Sequence, residues 1–119
     1  MSTPAKLLAR AAGVPVGELI DWGPVAEPLG EPVSRTSGLL LHRDEGGDNE
    51  TGLWVCTPGR WRCLVERPEF CHFLAGRAVY VSDAGERLEV AAGDAAFFPA
   101  GWSGSCEVIE TVRKTYMIR

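Results

Sequence analysis

The sequence predicts an all-β sandwich or barrel. Eight or nine short apolar segments recur at regular spacing from residue 38 onward, turn residues separate them, and no long helical stretch lies between them. A length of 119 residues fits one domain with one real core. The first 37 residues form a separate N-terminal segment, and residues 38–119 carry the barrel.

Residues 2–12 are expected to form a short helix. Thr3 can cap it, Pro4 suits its first turn, Gly13 can close it, and Leu7, Leu8 and Ala11 give it a small apolar face. Residues 13–37 hold Pro15, Pro24, Pro28 and Pro32, a density incompatible with a long helix or a central strand. They are expected to run as an extended arm over the barrel or across to a second subunit, anchored by Leu19, Ile20 and Trp22. Strands are then expected at 39–41, 53–57, 60–66, 70–74, 77–82, 86–91, 95–98, 105–109 and 112–118. An acidic, Gly-rich loop occupies 43–51, Pro58-Gly59 makes a turn, and Asp83-Ala84-Gly85 is a hairpin signal.

Composition narrows the function. Apolar content of 45% and charged content of 24% are those of an ordinary soluble protein. A net charge of −4 offers no basic surplus for nucleic acid or for an anionic membrane. No apolar run approaches the roughly 20 residues of a membrane span, and no secretory signal is legible. Cys56, Cys63, Cys71 and Cys106 form no C-x-x-C pair, so reduced thiols and a cytoplasmic location are expected.

Two spans carry the chemistry: Glu69-Phe70-Cys71-His72-Phe73-Leu74-Ala75-Gly76 and Gly93-Asp94-Ala95-Ala96-Phe97-Phe98-Pro99-Ala100-Gly101. Together they resemble the two halves of the cupin signature. Further matching words are Gly52-Leu53-Trp54, Thr57-Pro58-Gly59, the glycines of Pro99-x-Gly101-x-x-Gly104, and Val112-Arg113-Lys114-x-Tyr116. From about residue 52 to the end, the chain resembles a single-domain cupin of the ureidoglycine aminohydrolase-like branch. That resemblance implies a cupin double-stranded β-helix, an RmlC-like jelly-roll barrel, preceded here by the short helix and arm.

The resemblance also implies where a metal would sit. Cupins hold one ion with three histidines and a glutamate. Glu69 matches the glutamate. The paired histidines would fall at Arg62 and Leu64 or at Cys63 and Val65, and the third at Gly104. The chain has only His42 and His72, so one chain cannot build that set, and no metal or other cofactor is expected. Glu69 with Cys63 or Cys71 would suit zinc but lacks a fourth ligand.

Glu69 is expected to point into the barrel, either as a functional acid, base or ligand anchor or as a carboxylate paired within the fold. Cys71 shares its face, and Cys63 shares the face of Trp61. His72 points away from Cys71, which argues against a Cys–His dyad. Trp54, Trp61, Phe98 and Trp102 are either core or the aromatic lining of a small-molecule pocket, with Trp102 nearest its mouth. One of Arg113 and Lys114 is expected to pair with Glu69, Glu107 or Glu110. The expected pocket comprises Trp61, Cys63, Glu69, Cys71, Phe98 and Trp102, with Glu69 as its candidate catalytic group. The leading functional expectation is a homodimeric, metal-free cupin that binds a small molecule. The alternatives are a hydrolase or isomerase acting on a small nitrogen-containing metabolite, and a regulatory or accessory subunit.

Overall fold

The computed structural model describes residues 3–119. Its eight strands are β1 (Ile20–Pro24), β2 (Arg35–Arg43), β3 (Glu50–Cys56), β4 (Gly59–Leu64), β5 (Glu69–Ser82), β6 (Arg87–Ala91), β7 (Ala95–Phe98) and β8 (Ser103–Ile118). All pairings between them are antiparallel. No helix among the described residues is long and apolar enough to cross a membrane.

β5 and β8 organise the molecule. They pair with each other, and each crosses from one layer to the other. Residues 69–72 of β5 pair with β7, whereas residues 77–81 pair with β6. Residues 112–118 of β8 pair with β3, whereas residues 103–108 pair with β4. One layer therefore runs β1-β2-β3-β8-β5-β7 and the other runs β4-β8-β5-β6. This is the jelly-roll arrangement expected from the sequence. The segments at 70–74 and 77–82 are halves of one bent strand, as are those at 105–109 and 112–118.

The bend is built from bulges. The β5–β8 register slips at three places between Phe73 and Ala78. Gly76 sits there with φ +86°, and a Cβ on it would lie 2.1 Å from the Thr111 carbonyl oxygen. Only glycine permits this close approach of two backbones. The core fills the space between the layers with Cys56, Cys63, Cys71, Phe73, Tyr80, Phe98, Cys106, Val108 and Val112. All four thiols are free and buried. The 83–85 turn closes as expected, with Ser82 N–H donating to the Glu86 carbonyl at 2.8 Å.

The N-terminal segment differs from expectation at its start, and Ile20, expected as an anchor of the arm, is 57% exposed. Residue 2 lies outside the described residues, and over the remainder the helix at 2–12 is not formed. The chain instead makes two single-turn 3-10 helices, Ala11–Gly13 and Val16–Glu18. An isolated helix this short is marginal in water. Its apolar face is only partly used, since Leu8 packs on the barrel whereas Leu7 is 87% exposed. The arm packs on its own barrel. Leu8, Val14 and Leu19 cover Leu53, Val55, Leu39 and Leu74 on the outer face of the first layer. Residues 20–24 add β1 at the edge of that layer, where proline is tolerated. Residues 27–29 then run along β4, with Arg62 N–H donating to the Glu27 carbonyl and Leu29 N–H to the Arg60 carbonyl.

Gly76→Ala is expected to destabilise the fold by about 3 kcal/mol, combining a disfavoured φ with a backbone clash. Equilibrium denaturation would measure it, and a loss under about 1 kcal/mol would mean that the bend tolerates a side chain.

Candidate functional site

A cavity of about 420 Å³ opens into the barrel, lined by residues of β1, β3, β4, β5, β7 and β8 and of the β4–β5 connection. Glu69 and Lys114 are its charged floor. Strand register explains how they meet. On β8, Lys114 lies opposite Trp54 of β3 and Phe73 of β5. Its side chain runs along β5, past Cys71, to Glu69, because residues 69, 71 and 73 of a strand share a face. Lys114 Nζ donates to Glu69 Oε2 at 2.8 Å and to Cys71 Sγ at 3.4 Å. It also stands 4.5 Å from the Trp54 ring centroid.

The ammonium is buried, with only 9% of its side chain exposed, against 17% for Glu69. Burial alone would lower the Lys114 pKa, but the Glu69 carboxylate and the Cys71 sulfur outweigh that and hold the ammonium above lysine's ordinary range. Such a pair is expensive to bury and more expensive to break, since removing one partner strands the other charge.

Burial disfavours the thiolate at Cys63 and Cys71. Burial pushes Cys71 up to about 12 and Cys63 up to about 11, although Lys114 pulls both the other way. Cys71 Sγ instead donates to Glu69 Oε2 at 3.0 Å. His72 is exposed on the opposite face of β5, so it forms no dyad with Cys71. Near the mouth, Tyr116 Oη donates to Glu50 Oε2 at 2.6 Å, and Arg43 holds the other Glu50 oxygen. Tyr116 and Arg43 together keep the Glu50 carboxyl below its usual range.

Of the residues expected in the pocket, Trp61, Cys63, Glu69 and Phe98 line it. Cys71 is fully buried behind Glu69. Trp102 is a correction. It stacks edge-on behind the wall, with its ring centroid 5.2 Å from Phe98 and 6.2 Å from Tyr80, and does not line the cavity. The Pro99–Trp102 turn accounts for this, because Trp102 N–H donates to the Pro99 carbonyl while the Trp102 carbonyl accepts from Val65.

Lys114 is the member of the Arg113–Lys114 pair that faces inward and meets Glu69. Sequence reasoning left that choice open because parity could not be anchored. Tyr80, Tyr116 and Trp22 also line the cavity without having been singled out for it. Trp22 reaches the cavity from β1, where its ring lies over Gly38 of β2.

The residues present do not fit a cupin metal. Of the residues at the two alternative histidine pairs, Cys63, Leu64 and Val65 line the cavity, while Arg62 turns outward to Asp83 at 2.5 Å. At Gly104, a Cβ would lie 2.1 Å from the Val81 carbonyl oxygen, so the backbone leaves no room for a side chain. Among the described residues, no three His, Cys, Asp or Glu side chains are gathered to hold an ion. A cation at Glu69 would meet the Lys114 ammonium, 2.8 Å from Oε2, and be repelled by it.

The bent double layer and its inward-facing floor define a cupin. Residues 43–116, well over half of the chain, match the family model of the EutQ-like cupin domain, and the chain belongs to that family. No curated protein matches the chain significantly. Among solved structures, it resembles a DUF861-family protein of unknown function from Pseudomonas syringae, with 23% identity and a TM-score of 0.76. That match covers 85% of this chain but only 44% of the other. A putative ethanolamine utilization protein Q from Salmonella typhimurium matches at 22% identity and a TM-score of 0.61, covering 74% of this chain and 71% of that one. The EutQ protein of Clostridium difficile matches at 17% identity and a TM-score of 0.63, covering 77% and 75%. At such identities the likeness carries the fold alone.

Lys114→Met is expected to destabilise the protein by about 3 kcal/mol by stranding Glu69, and adding Glu69→Gln should recover most of that loss. Because the folded-state pKa of Lys114 is raised, its stabilisation is complete below lysine's ordinary 10.5 and is drawn down as pH rises above it. Urea denaturation of the three proteins at neutral and alkaline pH checks both points. Equal stability of wild type and Lys114→Met would show that the pair does not support the fold.

Proposed function

We propose that this chain is a small-molecule-binding cupin whose ligand docks on the Glu69–Lys114 pair without a transition metal. One observation carries the reading: a buried ion pair forms the floor of an open cavity that has aromatic walls. A volume of about 420 Å³ lies within the range of small-ligand sites. If the pair served only the fold, burial among apolar side chains would suffice, whereas here the pair meets the cavity.

A second reading has one supporting observation. Glu69 uses Oε2 for both of its hydrogen bonds, so among the described residues Oε1 is free to act on a bound molecule. This favours an enzyme, of the ureidoglycine aminohydrolase-like kind, with Glu69 as acid or base. The two readings separate on turnover, since a binding protein returns its ligand unchanged.

The test is a thermal-shift screen of metabolites against wild type and Glu69→Gln, followed by calorimetry and NMR of the hits. Glu69→Gln keeps an oxygen for Lys114 and is expected to fold, yet to weaken binding about tenfold by losing a charged hydrogen-bond acceptor. Hits that bind both proteins equally would remove Glu69 from the site.

A homodimer is part of the same proposal. Phe97, Phe70 and Met117 lie opposite one another across β7, β5 and β8, at 61%, 53% and 49% exposure. This apolar row extends the outer face that the arm covers elsewhere, and a two-fold contact would bury the same row on both copies. Light scattering is expected to show a dimer that Phe70→Glu dissociates, and a monomeric wild type would end the idea.

A further inference from the structure

The hydrogen-bond inventory of the floor constrains the chemistry of the ligand, given that the cavity is a ligand site. Lys114 has three N–H bonds to place. One meets Glu69 Oε2 and one meets Cys71 Sγ. The Trp54 face, 4.5 Å from the nitrogen, takes the remaining side of the ammonium. No ammonium proton is left for an anion. Glu69 is the reverse case. Both of its bonds fall on Oε2, and among the described residues Oε1 has no partner. Oε1 is also not a buried orphan, so it faces the cavity that Glu69 lines. The floor thus presents an acceptor.

The walls agree. The Trp61 Nε1 donor is fully buried and offers nothing to the cavity. Tyr116 spends its proton on Glu50. Arg67, at the rim, gives one of its five N–H groups to the Gly47 carbonyl, and its charge is offset in the same lining by Glu50 and Glu66. Glu50, Glu66 and Glu69 stand against Arg67 and Lys114 around the cavity, so the lining carries no net positive charge. An anion would meet a lining of the wrong sign. A cation would approach an acceptor whose charge Lys114 already neutralises at 2.8 Å, and would itself be repelled by Lys114.

We propose that the cavity selects an uncharged, flat or apolar molecule bearing an N–H or O–H group, which it donates to Glu69 Oε1 while the body of the molecule rests on Trp61, Tyr80 and Phe98. An unpaired acceptor at the bottom of a pocket discriminates strongly, because a ligand lacking the donor leaves a desolvated carboxylate oxygen unbonded.

Four probes on one phenyl body test this. Benzamide is neutral with a donor, acetophenone is neutral without one, benzoate is an anion, and benzylamine is a cation at neutral pH. Each is titrated into the full chain up to its solubility limit, following the tryptophan indole N–H signals by NMR. Trp22, Trp54 and Trp61 line the cavity, and Trp102 is the internal control. Benzamide is expected to bind tightest, about tenfold tighter than acetophenone and at least as far ahead of benzoate. In Glu69→Gln, Lys114 claims the amide oxygen and turns the NH₂ to the cavity, so the lead of benzamide over acetophenone should vanish.

If benzoate or benzylamine binds tightest, or if the lead of benzamide survives in Glu69→Gln, the cavity is a ligand site and the assigned ligand class is wrong. If none of the four moves the cavity tryptophans, the reading of the cavity as a ligand site falls with it. The ranking in the wild type stands as a test whether or not the variant folds.

Discussion

Burying an ammonium against a carboxylate inside a barrel this small constrains every neighbour. The pair gains from a low-dielectric surround only if each charge keeps its hydrogen bonds, and removing either partner leaves a charge that the interior cannot solvate. Glu69 answers this by accepting from Lys114 and Cys71 through one oxygen. Lys114 answers it with Glu69, the Cys71 sulfur and the face of Trp54. The thiol at position 71 is therefore a hydrogen-bonding and packing group rather than a nucleophile, in keeping with a pKa pushed up to about 12 by burial.

That pair exists because β5 and β8 are neighbours in the layer where Phe73 and Trp54 flank Lys114. Their adjacency depends in turn on the bend at Gly76, which lets one strand pair with β7 at its start and with β6 at its end. Fold and site are thus coupled. The bulges that bend β5 lie within a few residues of Glu69 and Cys71, which place the candidate chemistry.

The cupin resemblance puts the metal-binding histidines at Arg62 and Leu64 or at Cys63 and Val65, and at Gly104, and none of these is histidine here. Substituting those histidines back would not be a local matter. The backbone of Val81 closes off position 104, and Lys114 holds the negative charge that a metal would need. Here the barrel keeps the carboxylate and compensates it with a cation from its own last strand. Its cavity presents an open acceptor where a metal-loaded barrel would present an electrophile.

Much of this was legible in the sequence. Short apolar segments with turn residues between them specify strands and hairpins locally, so an all-β class, the 83–85 turn and most strand positions follow from residues near one another. Glu69 and the scarcity of histidine follow from counting and spacing alone. Other features depended on pairings between residues far apart in the chain. The merging of four segments into two bent strands, the inward turn of Lys114 rather than Arg113, the recruitment of Trp22 to the cavity and the retreat of Trp102 behind it were decided by register across β3, β5 and β8 and by the path of the arm. The helix expected at the N-terminus failed for a related reason. Local propensity could start it, but a short helix needs a packed face, and here Leu8 meets the barrel while Leu7 stays exposed. Strand parity tells which residues share a face, and only the tertiary structure tells which face looks inward.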